Sequence, residues 1–329
     1  MASHSARSDV AAARALLATH FQPTSLVPAR SLTRDGAAAH LKIETGLPTG
    51  SFKVRGAIYA LSAHAAERPV HEVVAASTGN HGAAVAYAGR LLGIPATIFL
   101  PSNPNPVKAA RIRELGARIV EGGAVDLSGA IDAAYEYCER TRAFFLHDAT
   151  DAGIPIGTGT IAAEIIEQLP DARTIYVPMG DTALVRGVAS EAKRLNAAMR
   201  IVGVVAERAP VYALAWRSGE AGETASADTI ADGLAVRRAL APNVAAIRTL
   251  VDEVRTVTET EMLDAIDWLA AREGVQAEPS GAAATAAWLQ KDGRSQPGPA
   301  VLLVTGGNIS PDTTALLNVR RQLAPDRRL

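Results

Sequence analysis

At 329 residues, with 33 basic and 34 acidic side chains, the chain is long enough for two compact units and carries a formal net charge of −1. It has no basic block, which excludes the electrostatic footprint that nucleic acid or an anionic membrane surface requires and leaves a small molecule as the expected partner. The single cysteine, Cys138, excludes an internal disulfide and a four-cysteine zinc site and fits a reducing compartment, so a cytoplasmic location is expected.

The first element in chain order is DVAAARALLATH (9–20), an amphipathic helix pattern with Asp9 near its start and without the charged-then-apolar order of a leader. No apolar run reaches the length of a membrane span. GSFKVRGA (50–57) follows, just ahead of a helical run. Only five of the 33 basic residues are lysines (Lys42, Lys53, Lys108, Lys193 and Lys291), and arginine cannot serve as an amine nucleophile. Lys53, set between an aromatic and a Val-Arg-Gly turn, is therefore a candidate for chemistry.

From residue 72 onward, β-rich runs alternate with alanine-rich helical patterns. Strands are predicted at EVVAAS (72–77), ATIFLP (96–101), RIVEGG (118–123), AFFLHD (143–148), TIYVPMG (174–180), RIVGVVA (200–206) and AVLLVTGG (300–307). Between them, GAAVAYAGRLLG, PVKAARIRELG, TIAAEIIEQLP and ALVRGVASEAKRLN space apolar residues three and four apart with Gly or Pro near the ends. The alternation predicts an α/β fold with mostly parallel sheets. AAYEYCER around Cys138 reads as helix and makes its thiol an inert, half-buried one. SGEAGETASADT (218–229) reads as a surface loop.

Three strand-end turns and one helix start carry polar groups. STGNHG (77–82) presents amides and hydroxyls at the positive end of a helix dipole, an anion site suited to a substrate carboxylate. The alternative is that Ser77 and Thr78 only cap the helix and His81 is a satisfied structural histidine. VPMGDTALVRG (177–187) would cradle a phosphate with its amides and the Thr182 hydroxyl, but Asp181 would repel one unless its side chain turns elsewhere. VTGGN (304–308) puts the neutral hydroxyl of Thr305 at a strand mouth, and EPSGA places Glu278 at a helix start. No metal-ligand spacing, G-x-S-x-G elbow or G-x-G-x-x-G fingerprint is present.

These motifs occur in one order, together with PTSL at Thr24, HLKIETGLPTG and TIADGLAV. From Thr24 to Asn308 the chain resembles the serine/threonine dehydratase family of pyridoxal-phosphate enzymes, which have the tryptophan-synthase-β fold (fold type II). The resemblance implies two α/β domains with open, mostly parallel sheets, helices on both faces and the cofactor between the domains. The small domain would be residues 71–148, carrying the substrate-carboxylate loop, and the large cofactor-binding domain residues 1–70 and 149–329. Lys53 would hold pyridoxal 5'-phosphate as a Schiff base beside Phe52, the other four lysines lying in helical or loop contexts. Asn80 would bond the ring hydroxyl. Ser77, Thr78, Gly79, Asn80 and His81 would grip the substrate carboxylate. Gly180, Asp181, Thr182, Ala183 and Leu184 would cradle the phosphate, with Glu278 and Thr305 completing the cofactor site, Thr305 against the pyridine nitrogen.

The implied activity is that of a lyase, a dehydratase (ammonia-lyase) converting a β-hydroxy amino acid to a 2-oxo acid and ammonia. Threonine, serine, phenylserine, 3-hydroxyaspartate and a hydroxyectoine-derived compound are the candidate substrates. Lys53 would remove the α proton, and Thr78 or the cofactor phosphate would protonate the leaving hydroxyl. The alternatives are a racemase or β-replacement enzyme of the same fold and a non-catalytic pyridoxal-phosphate-binding protein. A homodimer is expected from the family. The chain departs from the family's pattern at GDTAL, where a run of glycines is usual. It also has Ala213 where related racemases pair a second carboxylate with Glu207 to hold a divalent cation, so no metal is expected there. It stops soon after VTGGN, so neither a C-terminal regulatory domain nor feedback inhibition by isoleucine is expected.

Overall fold

The computed structural model describes residues 5–33, 37–77, 79–102, 106–121, 127–290 and 298–323. In chain order the elements are α1 (Ser5–Leu17), β1 (Leu26–Pro28), β2 (Ala39–Ile43), α2 (Lys53–Glu67), β3 (Val73–Ala76), α3 (Asn80–Leu92), β4 (Ala96–Leu100), α4 (Pro106–Glu114), β5 (Arg118–Glu121), α5 (Leu127–Thr141), β6 (Phe144–Phe145) and α6 (Gly153–Gln168). They continue as β7 (Thr174–Pro178), α7 (Ala183–Leu195), β8 (Arg200–Ala206), α8 (Val211–Ser218), α9 (Ala241–Leu250), β9 (Glu253–Val257), α10 (Glu259–Trp268), α11 (Pro279–Leu289), β10 (Ala300–Val304) and α12 (Pro311–Leu323).

The chain packs as two units, residues 1–22 with 47–160 and residues 23–46 with 161–329. The expected small domain, 71–148, lies inside the first unit, which also takes in 1–22, 47–70 and 149–160. Within that unit α2 packs closely on the start of α6. A Cβ at Gly157 would lie 2.6 Å from the Arg55 carbonyl oxygen, so only glycine lets these two backbones approach. The Gly-rich stretch GIPIGTG is thus helical, and α6 starts seven residues before the predicted TIAAEIIEQLP. Asp151 supplies the entry, its Oδ1 accepting from the Gly153 amide at 2.8 Å.

In the first unit the four-stranded sheet runs β5-β4-β3-β6, with Val73 opposite both Ala96 and Phe144 in parallel register. The predicted strand at 143–148 shortens to Phe144–Phe145, so Leu146, His147 and Asp148 lie just beyond its C-terminal end.

In the second unit the sheet runs β1-β2-β10-β7-β8-β9, parallel throughout except for β1 against β2. Its fully buried strands β7 and β10 are central, as expected of parallel strands covered on both faces. Helix α11 packs on them, with Trp288 edge-on to Tyr176 at 5.7 Å between ring centroids and its Nε1 donating to the Leu32 carbonyl at 2.8 Å. Burying each such side chain contributes about 1.5–3 kcal/mol.

β2 and β9 were not anticipated, because charged residues interrupt their apolar pattern. Lys42, expected in a helical or loop context, lies on β2 and is 0 % exposed. Its ammonium is satisfied by Glu164 Oε2 at 2.6 Å, the Thr24 carbonyl at 2.8 Å and Gln168 Oε1 at 2.9 Å. A buried charge persists only when paired and hydrogen-bonded in this way. On β9, Arg255 does likewise, donating to Glu253 and to the Ala287 carbonyl and lying over the Tyr176 ring.

Candidate active site

In the first unit, Lys53 is the opening residue of α2 and its side chain is 11 % exposed. Phe52 precedes it, and Nζ lies 5.2 Å from the centre of that ring. The Nζ is ion-paired with Oδ2 of Asp148. The other oxygen, Oδ1, is 3.5 Å from Nδ1 of His81, whose Nε2 meets the Leu146 carbonyl at 3.0 Å. Lys53, His81 and Asp148 therefore converge. Asp148 was not among the expected residues. Its signal was positional: a carboxylate just past the end of a parallel strand, where open α/β sheets gather ligand groups.

Ser77 and Gly79 form the turn from β3 into α3, with the Gly79 amide donating to Ser77 Oγ at 3.2 Å. Asn80 is the first residue of α3, so Asn80 and His81 stand in the turn that carries the positive end of the helix dipole. Thr78 lies outside the described residues. Burial, followed by the charge of His81, pushes His147 below the ordinary imidazole range.

In the second unit, loops at the strand ends and helix starts are drawn together by glycines. A Cβ on Gly180 would stand 2.2 Å from the Gly233 carbonyl oxygen, and one on Gly281 would stand 2.2 Å from the Gly306 carbonyl oxygen. The Gly233 amide donates to Ser280 Oγ at 2.9 Å, and the Glu278 amide donates to the Gly306 carbonyl at 3.0 Å. Thr305, at the end of β10, is 4 % exposed, its Oγ1 3.5 Å from the Ser280 carbonyl oxygen. Gly180, Glu278 and Thr305 thus share one neighbourhood, and the segment 229–233 that joins them carried no assigned role.

Asp181, Thr182, Ala183 and Leu184 lead into α7. Oδ1 of Asp181 accepts from the Ala183 amide at 2.9 Å, so the carboxylate turns onto a helix-end donor rather than out toward an anion. Thr182 has φ of +76°, a left-handed conformation that costs a β-branched residue on the order of 1–3 kcal/mol. Its Oγ1 accepts from Arg186 Nε at 3.1 Å, which brings a guanidinium beside the loop.

These residues fit pyridoxal phosphate in three respects. A lysine amine is largely withdrawn from water beside an aromatic ring, a buried neutral hydroxyl ends a central strand, and loops in the second unit meet where no Cβ could be placed. The capped Ala183 amide is the one feature that does not favour a phosphate. Glu207 is exposed beyond β8 while Ala213 is buried in α8, and among the described residues no three His, Cys, Asp or Glu are grouped to hold a metal ion. No helix among the described residues is long and apolar enough to cross a membrane.

A family model described as pyridoxal-phosphate dependent enzyme matches residues 17–306. An L-threonine ammonia-lyase of Thermotoga maritima is 37 % identical over 276 residues, covering 83 % of this chain and 68 % of the relative. A serine racemase of Oryza sativa subsp. indica is 31 % identical over 305 residues, 90 % of this chain and 89 % of the relative. Among solved structures, maize serine racemase superposes with a TM-score of 0.88 at 30 % identity, covering 97 % of this chain and 98 % of that one.

Proposed function

The chain belongs to the pyridoxal-phosphate-dependent enzymes, and on that premise we propose that it is an ammonia-lyase acting on a β-hydroxy amino acid to give a 2-oxo acid and ammonia. The observation that carries this reading is Lys53, an amine largely withdrawn from water at the start of α2, in a chain 37 % identical to an L-threonine ammonia-lyase. Pyridoxal phosphate, when bound, supplies the electron sink that lets the α proton of an amino acid leave.

The chain's own residues supply the rest. Lys53 Nζ would hold the cofactor and, when free, would be the base that takes the α proton. Ser77, Gly79, Asn80 and His81 would present polar groups and the positive end of the α3 dipole to the substrate carboxylate. Phe52 and Asn80 would contact the ring, and Gly180 to Leu184 would hold the phosphate with Arg186 as a nearby cation. Thr305 would meet the ring nitrogen with a hydroxyl that cannot protonate it as a carboxylate would, a weaker electron sink that would favour expulsion of the β leaving group. Thr78 or the cofactor phosphate would protonate the leaving hydroxyl.

Racemisation is the second reading, favoured by the 30–31 % identity to serine racemases. One experiment separates the two. The purified protein, loaded with pyridoxal phosphate, is given a panel of L-β-hydroxy amino acids, and 2-oxo acid and D-amino acid are both quantified, with Lys53→Ala in parallel. Oxo-acid release from one panel member, absent in the variant, is expected. D-amino acid without oxo acid would transfer the assignment to racemisation, and neither product from any member would sink both.

A further inference from the structure

Asp148 has no part in the mechanism above, yet it is ion-paired with Lys53. Its Oδ2 takes the amine and its Oδ1 faces His81 at 3.5 Å. The orientation of His81 matters. Its Nε2 faces a carbonyl, which can only accept, so Nε2 carries a hydrogen, and the neutral ring then turns a bare Nδ1 toward a carboxylate oxygen. Nδ1 of His81 makes no hydrogen bond among the described residues.

We propose that Asp148 is a positioning residue for Lys53, its carboxylate, backed by His81, keeping a proton on Nζ. The inference rests on the proposed attachment of pyridoxal phosphate at that amine. An opposite charge within hydrogen-bonding range in a site largely shut from water stabilises the protonated form of a nitrogen. When the nitrogen links the protein to the cofactor, the retained proton makes the adjoining carbon the better electrophile for an incoming amino acid.

Other ionisable groups around the set are engaged elsewhere. Asp151 pairs with His64 of α2 at 2.9 Å. Arg55, two residues along α2 from Lys53, bonds Thr160 and lies over the Phe21 ring. The Nδ1 of His147 accepts from the Ala149 amide at 3.0 Å. Of these groups Asp148 is the one ion-paired with Nζ.

The test is a pH titration of the visible absorbance of the bound cofactor in the wild-type holoenzyme and in Asp148→Asn, Asp148→Glu and Asp151→Asn. The midpoint for loss of the proton on Nζ is expected to fall by about one pH unit or more in Asp148→Asn, a tenfold loss of proton affinity. Asp148→Glu, which restores the charge, and Asp151→Asn should titrate with the wild type. Coincident midpoints for wild type and Asp148→Asn overturn the inference, as does a fall in Asp148→Glu as large as in Asp148→Asn. Should Asp148→Asn fail to fold, Asp148→Ser removes the same charge and is read against the same expectation. A wild type that shows no cofactor absorbance overturns the proposed function itself, an outcome distinct from a shared midpoint.

Discussion

Lys53 was legible because it is a rare residue type among apolar neighbours, and the structure withdraws its amine from water. Asp148 was not, because its partner lies 95 positions away and a single acidic residue after an apolar run reads as a strand stop. Cys138 was read as inert, and burial, reinforced by the negative charge of Glu72, pushes its thiol up to about 11. Against the ordinary 9.0, that shift reduces the reactive thiolate at mildly alkaline pH roughly a hundredfold. Iodoacetamide labelling of the native protein, followed by mass spectrometry, should therefore proceed about a hundredfold more slowly than for a free thiol peptide. Labelling as fast as the peptide would mean that Cys138 is not held as the structure has it.

At the level of elements, strands with uninterrupted apolar runs were legible, and β3, β4, β7, β8 and β10 fall inside the predicted segments. β2, β9 and the start of α6 were not. β2 and β9 carry charges whose partners come from elsewhere in the fold, and the start of α6 is a glycine run whose helix packs closely against α2. The turns of the second unit make a sharper demand. A methyl on Gly281 would collide with the Gly306 backbone, which cannot rotate aside as a side chain can. Gly281→Ala should cost about 1–3 kcal/mol and lower cofactor retention, seen as a depressed melting temperature and lost visible absorbance after gel filtration. Gly222→Ala, with nothing within 4 Å of the added methyl, should behave as wild type. Equal behaviour of the two variants would mean that the loops are not packed this closely.

Across the whole molecule, two imidazoles set a pH dependence. Burial lowers His40, with Asp171 opposing, and burial, then the charge of His81, lowers His147, both from 6.5. The unfolded chain takes up these protons first as pH falls, so it binds more protons than the folded state between 6.5 and the lowered folded values. Stability contributed by these groups is therefore intact above that window and declines as pH drops through it. Calorimetric melting temperatures should fall from about pH 7.5 to about 5.5, and His40→Gln should flatten part of that slope. A melting temperature that rises on acidification over this range would contradict the burial of both rings.

The amino-acid sequence by itself determined the alternation of strands and helices, the apolar strands of both sheets, and Lys53 as the amine set apart from an otherwise arginine-rich surface. Such features are written in periodicity and composition over a few neighbouring residues, where backbone geometry acts directly. Only the tertiary structure decided which ionised groups are buried and against what. It set Lys42 against Glu164, 122 positions on, and Lys53 against Asp148 and His81, and it folded a glycine run into a helix. A charge enters the interior only where a partner already waits. Where that partner waits is fixed by how the strands and helices pack, which no local stretch contains.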